Sequence, residues 1–260
     1  MEKKRMLCGF PLFVFLFLML TTGMPTRAAA EETERKADWQ FGADVYLWMA
    51  SIGGKTAGGD NIDVSFSDLL SKLKFGFMGV LQARNGKWHF STDVLYMKLE
   101  ADNSGQLTVP DGSQLKVNST VKVAAWVVTP AVGYSVIDTE QVRMEVLAGA
   151  RYLYLNPELE LHVPGVGSRN ISDSGDVWDG IVGIRGEVNL SKNWYVPYYL
   201  DLGAGNSEFT WQAAAGVGYR INKTVEVVAT YRYLEWNFKD NRVLDNLHFS
   251  GPLVGLRLLF

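Results

Sequence analysis

The feature that most restricts the fold of this chain is an alternation of apolar and polar residues with period two, which recurs after residue 38. In residues 39–49, for example, Trp39, Val45 and Leu47 fall on one face and Asp44 falls on the other. Such alternation predicts strands of an antiparallel sheet that has one apolar face. Ten segments show the pattern, at about 39–50, 74–84, 88–100, 119–136, 140–155, 175–189, 193–204, 208–221, 224–237 and 246–260.

The connections between these segments alternate in length. Tight turns at one rim and longer loops at the other, with both chain ends on the tight-turn side, are typical of a barrel in the bacterial outer membrane. The strands of a soluble β-sandwich would also alternate between apolar and polar residues. Nothing in a sandwich, however, would place all tight turns at one end and the longer loops at the other. The tight turns are Arg84–Lys87, Ile137–Glu140, Leu190–Asn193 and Ile221–Thr224, and the other connections are 51–73, 101–118, 156–174, the short Gly205–Ser207 and 238–245.

We therefore predict an all-β fold, a closed antiparallel up-and-down transmembrane β-barrel over residues 39–260. About 10 strands are expected, with 8 or 12 as alternatives. Charges on the apolar faces occur only near segment ends. A surface in contact with hydrocarbon must lack charge in the middle of the strands, because one Arg or Lys there destabilises the barrel by about 2–4 kcal/mol.

Residues 1–30 have the three-part layout of a cleaved secretory signal peptide, with a basic start, an apolar run over 6–24 and three alanines at the end. Residues 31–38 are then expected to form a short periplasmic lead before the barrel. The single cysteine, Cys8, lies in the signal peptide, so the processed chain would have no thiol for a disulfide or a metal. No later apolar run approaches the roughly 18 residues that a membrane helix needs.

Aromatic residues on the outward faces fall at two levels. Phe209 and Tyr219 lie ten residues apart on one segment. This separation is roughly 33 Å of strand, or about 25 Å of height at a tilt of about 40°, which matches the apolar band of an outer-membrane barrel. The proposed membrane girdle consists of Trp39, Trp88, Tyr134, Trp194 and Tyr219 near the tight turns, and Tyr96, Tyr152, Trp178, Phe209 and Tyr233 near the other rim.

The inward positions predict a lumen rich in paired charges. Seven acids and seven bases occupy them, and buried charge is tolerated only when it is paired. A barrel of about eight strands has room only for side chains or one small ligand, whereas open channels belong to barrels of about 16 strands or more. We therefore expect a charge-paired, largely closed lumen. The network residues are Asp44, Lys74, Asp93, Arg143, Glu145, Arg151, Asp179, Arg185, Glu187, Asp201, Arg220, Glu226, Arg232 and Arg257.

Several motifs carry a resemblance to known proteins. Gly216–Arg220 and Val132–Tyr134 resemble strand endings of the outer-membrane-protein-A-like small barrels, and the last segment, which ends at Phe260, resembles the final strand of bacterial outer-membrane barrels. Tyr46–Trp48 and Val64–Leu70 resemble a group of proteobacterial outer-membrane proteins of unassigned function. The best-known small barrels have eight strands, whereas ten segments are counted here.

This resemblance implies an outer-membrane location in a Gram-negative bacterium, reached after secretion through the inner membrane. The expected partners are outer-membrane lipid, lipopolysaccharide, periplasmic chaperones and the barrel assembly machinery, for which Phe260 would be the assembly signal. The sequence favours a monomer with no cofactor. With 25 basic and 28 acidic residues the net charge is -3, so no basic footprint for nucleic acid is present.

The residues favour a structural or surface-interaction role and no enzymatic activity. A narrow porin-like channel for small solutes is the first alternative, because the inward charges could line a pathway. A hydrolase or lipid A modifying enzyme at the outer rim is the second: His162 with Asp173 or Asp176, or His248 with Asp245, could form a dyad. No spacing singles out a catalytic or metal site.

The first long connection contains one helical pattern. Apolar residues at i, i+3, i+4 and i+7 within Phe66–Leu73, with Ser65 as N-cap and Asp68 three residues on, predict a two-turn amphipathic helix. We expect it to cap the mouth of the barrel or to pack against its outer rim, with a gate or partner-binding role as the alternatives.

Overall fold

The structure is a computed structural model that describes residues 39–108, 114–163, 167–172, 174–239 and 244–260. The expected signal peptide, the expected lead and Asp173 lie outside the described residues. Within them the chain forms β1 (Gln40–Trp48), β2 (Ser51–Thr56), β3 (Asn61–Val64), α1 (Phe66–Lys72), β4 (Leu73–Asn85), β5 (Trp88–Thr108), β6 (Gln114–Asp138), β7 (Val142–Val163), β8 (Gly167–Ser172), β9 (Gly175–Asn189), β10 (Trp194–Gly205), β11 (Ser207–Arg220), β12 (Val225–Phe238) and β13 (Leu244–Leu259).

Ten of these strands form a closed antiparallel ring in the order β1, β4, β5, β6, β7, β9, β10, β11, β12, β13. The ring closes because β1 pairs with β13, from Gly42 opposite Leu259 to Trp48 opposite Leu253. Each strand thus has a neighbour on both sides, which satisfies backbone groups that lipid cannot. The predicted closed antiparallel barrel of ten strands is confirmed.

Next to this closure, the chain from β1 to β4 completes the loop side of the barrel. β2 pairs with the outer end of β13, where Gly53 lies opposite His248, and β3 pairs with β2. β1 pairs with β4 only as far as Val45 opposite Gly79. Beyond that point the sulfur of Met78 accepts a hydrogen bond from the Trp48 backbone N–H at 3.3 Å.

The predicted helix is confirmed as α1. The Ser65 hydroxyl oxygen accepts from the Asp68 backbone N–H at 3.2 Å, and the same hydroxyl lies 2.6 Å from the Asp68 carboxylate. Leu69 is buried, whereas Leu70 is exposed. Among the described residues, no helix is both long and apolar enough to cross a membrane.

Strands β5, β6 and β7 extend further on the loop side than the sequence predicted. β5 and β6 stay paired out to Thr108 opposite Gln114, and β8 pairs with the outer part of β7. The connections expected at 101–118 and 156–174 are therefore largely strand, so the loop assignment there was wrong. We call this projecting sheet, formed by residues 100–108, 114–123, 156–163 and 167–172, the outer blade.

The outside of the ring carries exposed apolar side chains and two levels of aromatic pairs. Trp88 faces Tyr134 directly across β5 and β6, with ring centroids 5.0 Å apart. Further pairs are Trp194–Tyr219 at 4.8 Å on the tight-turn side, and Tyr96–Trp126, Tyr152–Trp178 and Trp211–Tyr233 at 4.3–4.7 Å on the loop side. Directly opposed aromatic rings stabilise a sheet by roughly 0.2–1 kcal/mol per pair.

The apolar outer surface predicts a depth-dependent cost of charge. Leu81, 68% exposed, lies between the two aromatic levels, whereas Leu190, 65% exposed, lies in a tight turn. In lipid vesicles, Leu81→Arg should lower the free energy of unfolding by about 2–4 kcal/mol, and Leu190→Arg by at most about 1 kcal/mol. Denaturant titration of both variants measures the difference. Equal effects of the two substitutions would contradict a hydrocarbon environment around Leu81.

Candidate functional site: the barrel lumen

The loop-side half of the lumen is filled by apolar side chains, which we call the apolar plug. Leu234 and Trp236 are fully buried, and the Phe249 ring lies 6.0 Å from Trp48 and 6.1 Å from Trp236. The plug draws on seven of the ten ring strands, so its side chains meet across the lumen. Its buried members are Tyr46, Trp48, Ala50, Leu95, Met97, Ala125, Val127, Leu153, Val177, Leu234, Trp236, Leu247 and Phe249.

Two buried arginines lie where the plug meets the polar half of the lumen. The Arg232 guanidinium pairs with Asp93 at 2.9 Å and donates to the Tyr46 hydroxyl at 3.2 Å and to the Gln212 side-chain oxygen at 2.8 Å. Its Cζ atom lies over the Trp48 ring, 4.6 Å from the ring centroid. Arg232 therefore presents its edge to polar groups and its face to the plug.

Arg151 has the same arrangement on the opposite side of the ring. Its guanidinium donates to the Asp201 carboxylate at 2.5 Å and to the Thr210 hydroxyl at 3.0 Å, and it lies 5.9 Å from the Trp236 ring centroid. The side chains of Arg151 and Asp201 are both fully buried. Because neither charge is exposed to solvent, each must be neutralised by the other.

In the tight-turn half, one carboxylate serves two guanidiniums. Glu145 accepts from Arg185 at 2.7 Å and also pairs with Arg84, while the His89 ring nitrogen Nδ1 lies 2.9 Å from it. Arg185 also donates to the Ser91 hydroxyl at 2.7 Å. We call Arg84, Glu145 and Arg185 the Glu145 cluster.

A second group forms a continuous chain of ion pairs along the wall. In it guanidiniums and carboxylates alternate, so each inner member has two partners of opposite charge. The pairs are Asp44–Arg257 at 3.0 Å, Arg257–Glu226 at 3.6 Å, Glu226–Arg220 at 3.3 Å, Arg220–Glu187 at 2.7 Å and Glu187–Arg143 at 3.4 Å.

This chain depends on a close approach of Tyr195 to the neighbouring strand. The Tyr195 hydroxyl donates to Glu226 at 2.7 Å, and its ring lies 4.3 Å below the Arg220 guanidinium. The ring also lies against Gly218, where an added Cβ would come within 2.1 Å of it. Only glycine leaves room for the ring at that position.

A cavity of about 690 Å³ occupies the tight-turn half of the lumen. It extends from rim residues such as Gln40 and Lys223 to Arg232 and Gln212 beneath the plug. The Glu145 cluster and the second ion-pair group both line it. The lumen is therefore divided along its axis into an apolar barrier and a charged cavity.

The structure places most of the predicted network residues inside the lumen, but in an arrangement that the sequence did not predict. Lys74 is the exception: it lies at the β-bulge between Leu73 and Phe75 and pairs with Glu100 at 3.7 Å, outside the residues that line the cavity. Asp179 faces Arg151 in the ladder and accepts from the Ser207 backbone N–H at 2.9 Å.

Two members of the network, Arg84 and Tyr195, were not predicted from the sequence, and neither was the apolar plug. Arg84 was assigned to a tight turn, although its even number on β4 gives it the inward orientation of Gln82. Tyr195 also went unnoticed on its inward face. The plug could not be predicted, because the sequence of one strand does not give the height of an inward residue in the barrel.

Of the two histidines in the predicted rim dyads, the structure describes the side chain of His248. The His248 ring stacks on the Tyr233 ring on the outer face, with centroids 5.6 Å apart. The side chain of His162 lies outside the described ones, as does Asp173. No group of three or more His, Cys, Asp or Glu residues that could hold a metal occurs in the part of the chain that the structure describes.

The fold and outer surface are those of the outer-membrane β-barrel class. No protein-family model matches the sequence, and no curated protein matches it either. Solved structures share the architecture at low identity. The translocator domain of autotransporter NalP from Neisseria meningitidis is 13% identical, with a TM-score of 0.46, and the match covers 87% of this chain and 90% of that one.

Two further solved structures match a similar share of this chain. The outer-membrane protease OmpT from Escherichia coli is 11% identical at a TM-score of 0.43, covering 85% of this chain and 97% of that one. The attachment invasion locus protein Ail of Yersinia pestis is 14% identical at a TM-score of 0.33, covering 85% and 98%. At these identities the likeness is one of fold alone.

The buried Arg151–Asp201 pair predicts non-additive effects on stability. Asp201→Leu leaves a buried guanidinium without its carboxylate and should lower the free energy of unfolding by about 3–5 kcal/mol. The double variant Arg151→Met, Asp201→Leu removes both charges and should recover most of that loss. Denaturant titration of the two single variants and the double variant measures the coupling. Additive losses would show that the pair does not act as a unit.

Proposed function

We propose that this protein is an outer-membrane β-barrel with a structural or surface-interaction role and a lumen that does not conduct solutes. The observation that carries the proposal is the apolar plug, whose largest members, Trp48 and Trp236, are buried. A dry apolar section across a narrow lumen opposes the passage of hydrated ions, because it offers nothing to replace their water. The protein would act as a monomer in the Gram-negative outer membrane.

The outer blade supports the surface-interaction part of the proposal. From Tyr96, at the loop-side aromatic level, β5 continues to Thr108. Twelve residues correspond to roughly 40 Å of strand and, at a tilt of about 40°, to about 30 Å of height. The blade would thus reach through the headgroup and sugar region of the outer leaflet.

Two polar pairs of the blade suit such surroundings. Lys122 pairs with Glu160 at 2.7 Å across β6 and β7, and Thr120 donates to Asp102 at 2.7 Å across β5 and β6. Polar cross-strand pairs stabilise a sheet that has water or sugar on its faces. We therefore propose lipopolysaccharide as the principal surface partner.

Phe260 remains the proposed signal for the barrel assembly machinery. Its backbone N–H donates to the Phe41 carbonyl at 2.9 Å, and the Phe41 backbone N–H donates back to the Phe260 carbonyl at 2.9 Å. The pairing fixes the last residue beside β1, while the ring is exposed. Delivery by periplasmic chaperones belongs to the same proposal.

The closed lumen predicts electrical silence in planar bilayers. The wild-type protein should give no ion conductance, and the variant Trp48→Ala, Trp236→Ala should conduct, because it empties the centre of the plug. The matched control, Trp39→Ala, Trp178→Ala, removes two outward indoles and should remain silent. Conductance of the wild-type protein equal to that of the plug variant would instead favour the alternative of a narrow channel.

The surface role predicts that shortening the blade removes binding and leaves the barrel folded. Replacing residues 103–119 by Asn-Gly places a two-residue hairpin turn beside the Asp102–Thr120 pair. Binding to a lipopolysaccharide-coated surface should fall at least about tenfold, while heat-modifiable migration on a denaturing gel is retained.

The matched control for this experiment replaces Gly86–Lys87, a turn at the opposite rim, by the same Asn-Gly dipeptide. Its binding should equal that of the wild-type protein. Full binding by the shortened blade would rule out the blade as the contact surface. The rim-hydrolase alternative is tested in the same preparation, because His248→Ala would then abolish a measurable lipid or peptide hydrolysis.

A further inference from the structure

The cavity in the tight-turn half of the lumen carries more positive than negative charge. Seven cationic side chains and five carboxylates line it, an excess of two positive charges with the His89 ring neutral. Part of the excess lies in the Glu145 cluster, where Arg84 and Arg185 share one carboxylate. The remainder lies at Lys223 on the rim. In the second ion-pair group, by contrast, acids and bases are equal in number.

The part of the excess in the Glu145 cluster matters because its two guanidiniums are shielded from bulk water, whereas Lys223 is exposed. The side chains of Arg84 and Arg185 are only 21% and 15% exposed. A guanidinium in a narrow, largely protein-lined space retains its charge, so a mobile anion is the simplest neutralising partner. Guanidinium forks also match the paired oxygens of phosphate and carboxylate groups.

The wall of the cavity contains polar groups without a partner in the described part of the chain. The hydroxyl of Thr129 and the Nε of Arg232 are buried and make no hydrogen bond there. Both residues line the cavity at its closed end, and both are at least nine-tenths buried. Each of these two atoms has almost no accessible surface, so both lie within the wall itself. An occupant of the cavity would instead meet the partly exposed guanidiniums of Arg84 and Arg185.

We propose that this cavity is a binding site for a small oxyanion solute, one that carries a phosphate or a carboxylate group. Its volume of about 690 Å³ falls within the usual range of small-ligand pockets, about 300–1,000 Å³. The apolar plug makes it a pocket with one entrance rather than a passage. The site goes beyond the structural role proposed above and does not depend on the outer blade.

The first test is calorimetric titration of the refolded protein in detergent micelles with inorganic phosphate, and separately with succinate, at constant ionic strength in a chloride buffer. Binding of phosphate alone assigns the site to the phosphate group, and binding of succinate alone assigns it to the carboxylate group. Saturable binding of either ligand supports the proposal. Absence of binding by both at about 10 mM overturns it.

Variants then locate the site. Arg84→Gln should weaken binding at least about tenfold, because it removes a charge-assisted hydrogen bond to the anion and one of the two excess positive charges of the cavity. The matched control is Lys87→Gln, three residues away in the same hairpin, whose ammonium lies over the Tyr134 ring and not in the cavity. Its affinity should equal that of the wild-type protein. Equal weakening by both variants would mean that only general surface charge is measured.

A further variant moves the affinity in the opposite direction. Glu145→Gln keeps the shape of the side chain but releases both guanidiniums, so it should strengthen binding several-fold. Heat-modifiable migration verifies that each variant is folded. If Arg84→Gln does not refold, Lys223→Gln at the rim replaces it, with an expected loss of about two- to threefold. Tighter binding by Arg84→Gln or Lys223→Gln would overturn the proposal.

Discussion

Hydrocarbon around the barrel is the constraint on which the other features depend. Backbone groups in contact with lipid must be paired within the protein, so the strands form a closed ring in which β1 meets β13. The same solvent requires apolar side chains on the outer face. Because side chains alternate along a strand, every outward apolar residue is followed by an inward one. The charged residues of the strands therefore gather in the lumen and must be paired there.

Arginine makes this crowded interior compatible with an apolar barrier. Arg151 and Arg232 each place the guanidinium over a tryptophan ring of the plug and direct their N–H groups to carboxylates and hydroxyls. A lysine could not join the two environments in this way, because its charge is compact and strongly hydrated. The lumen consequently changes from apolar to charged within about one layer of side chains. One barrel thus combines an apolar plug on the loop side with a charged cavity on the tight-turn side.

Sequence periodicity predicted the parts of the fold that depend on local order along the chain. The ten ring strands, the tight turns and the helix α1 with its Ser65 cap all follow from spacing within a few residues. The outer blade was not predicted, because its segments contain Gly, Asn and Asp, which favour turns and loops. Leu159, Leu161 and Val163 nevertheless alternate there. Pairing with β6, a partner distant in the sequence, and with β8, the next strand along the chain, keeps that segment extended.

What the sequence determined by itself is the face on which each strand residue lies, and hence an apolar exterior and a polar interior. What only the tertiary structure decided is which inward residues meet. The bulge at Leu73–Phe75 removes Lys74 from the lumen, whereas the register of β4 brings Arg84 to Glu145, 61 positions further along the chain. The height of a residue in the barrel depends on strand tilt and register. These are set by pairing around the whole ring and cannot be read from any one segment.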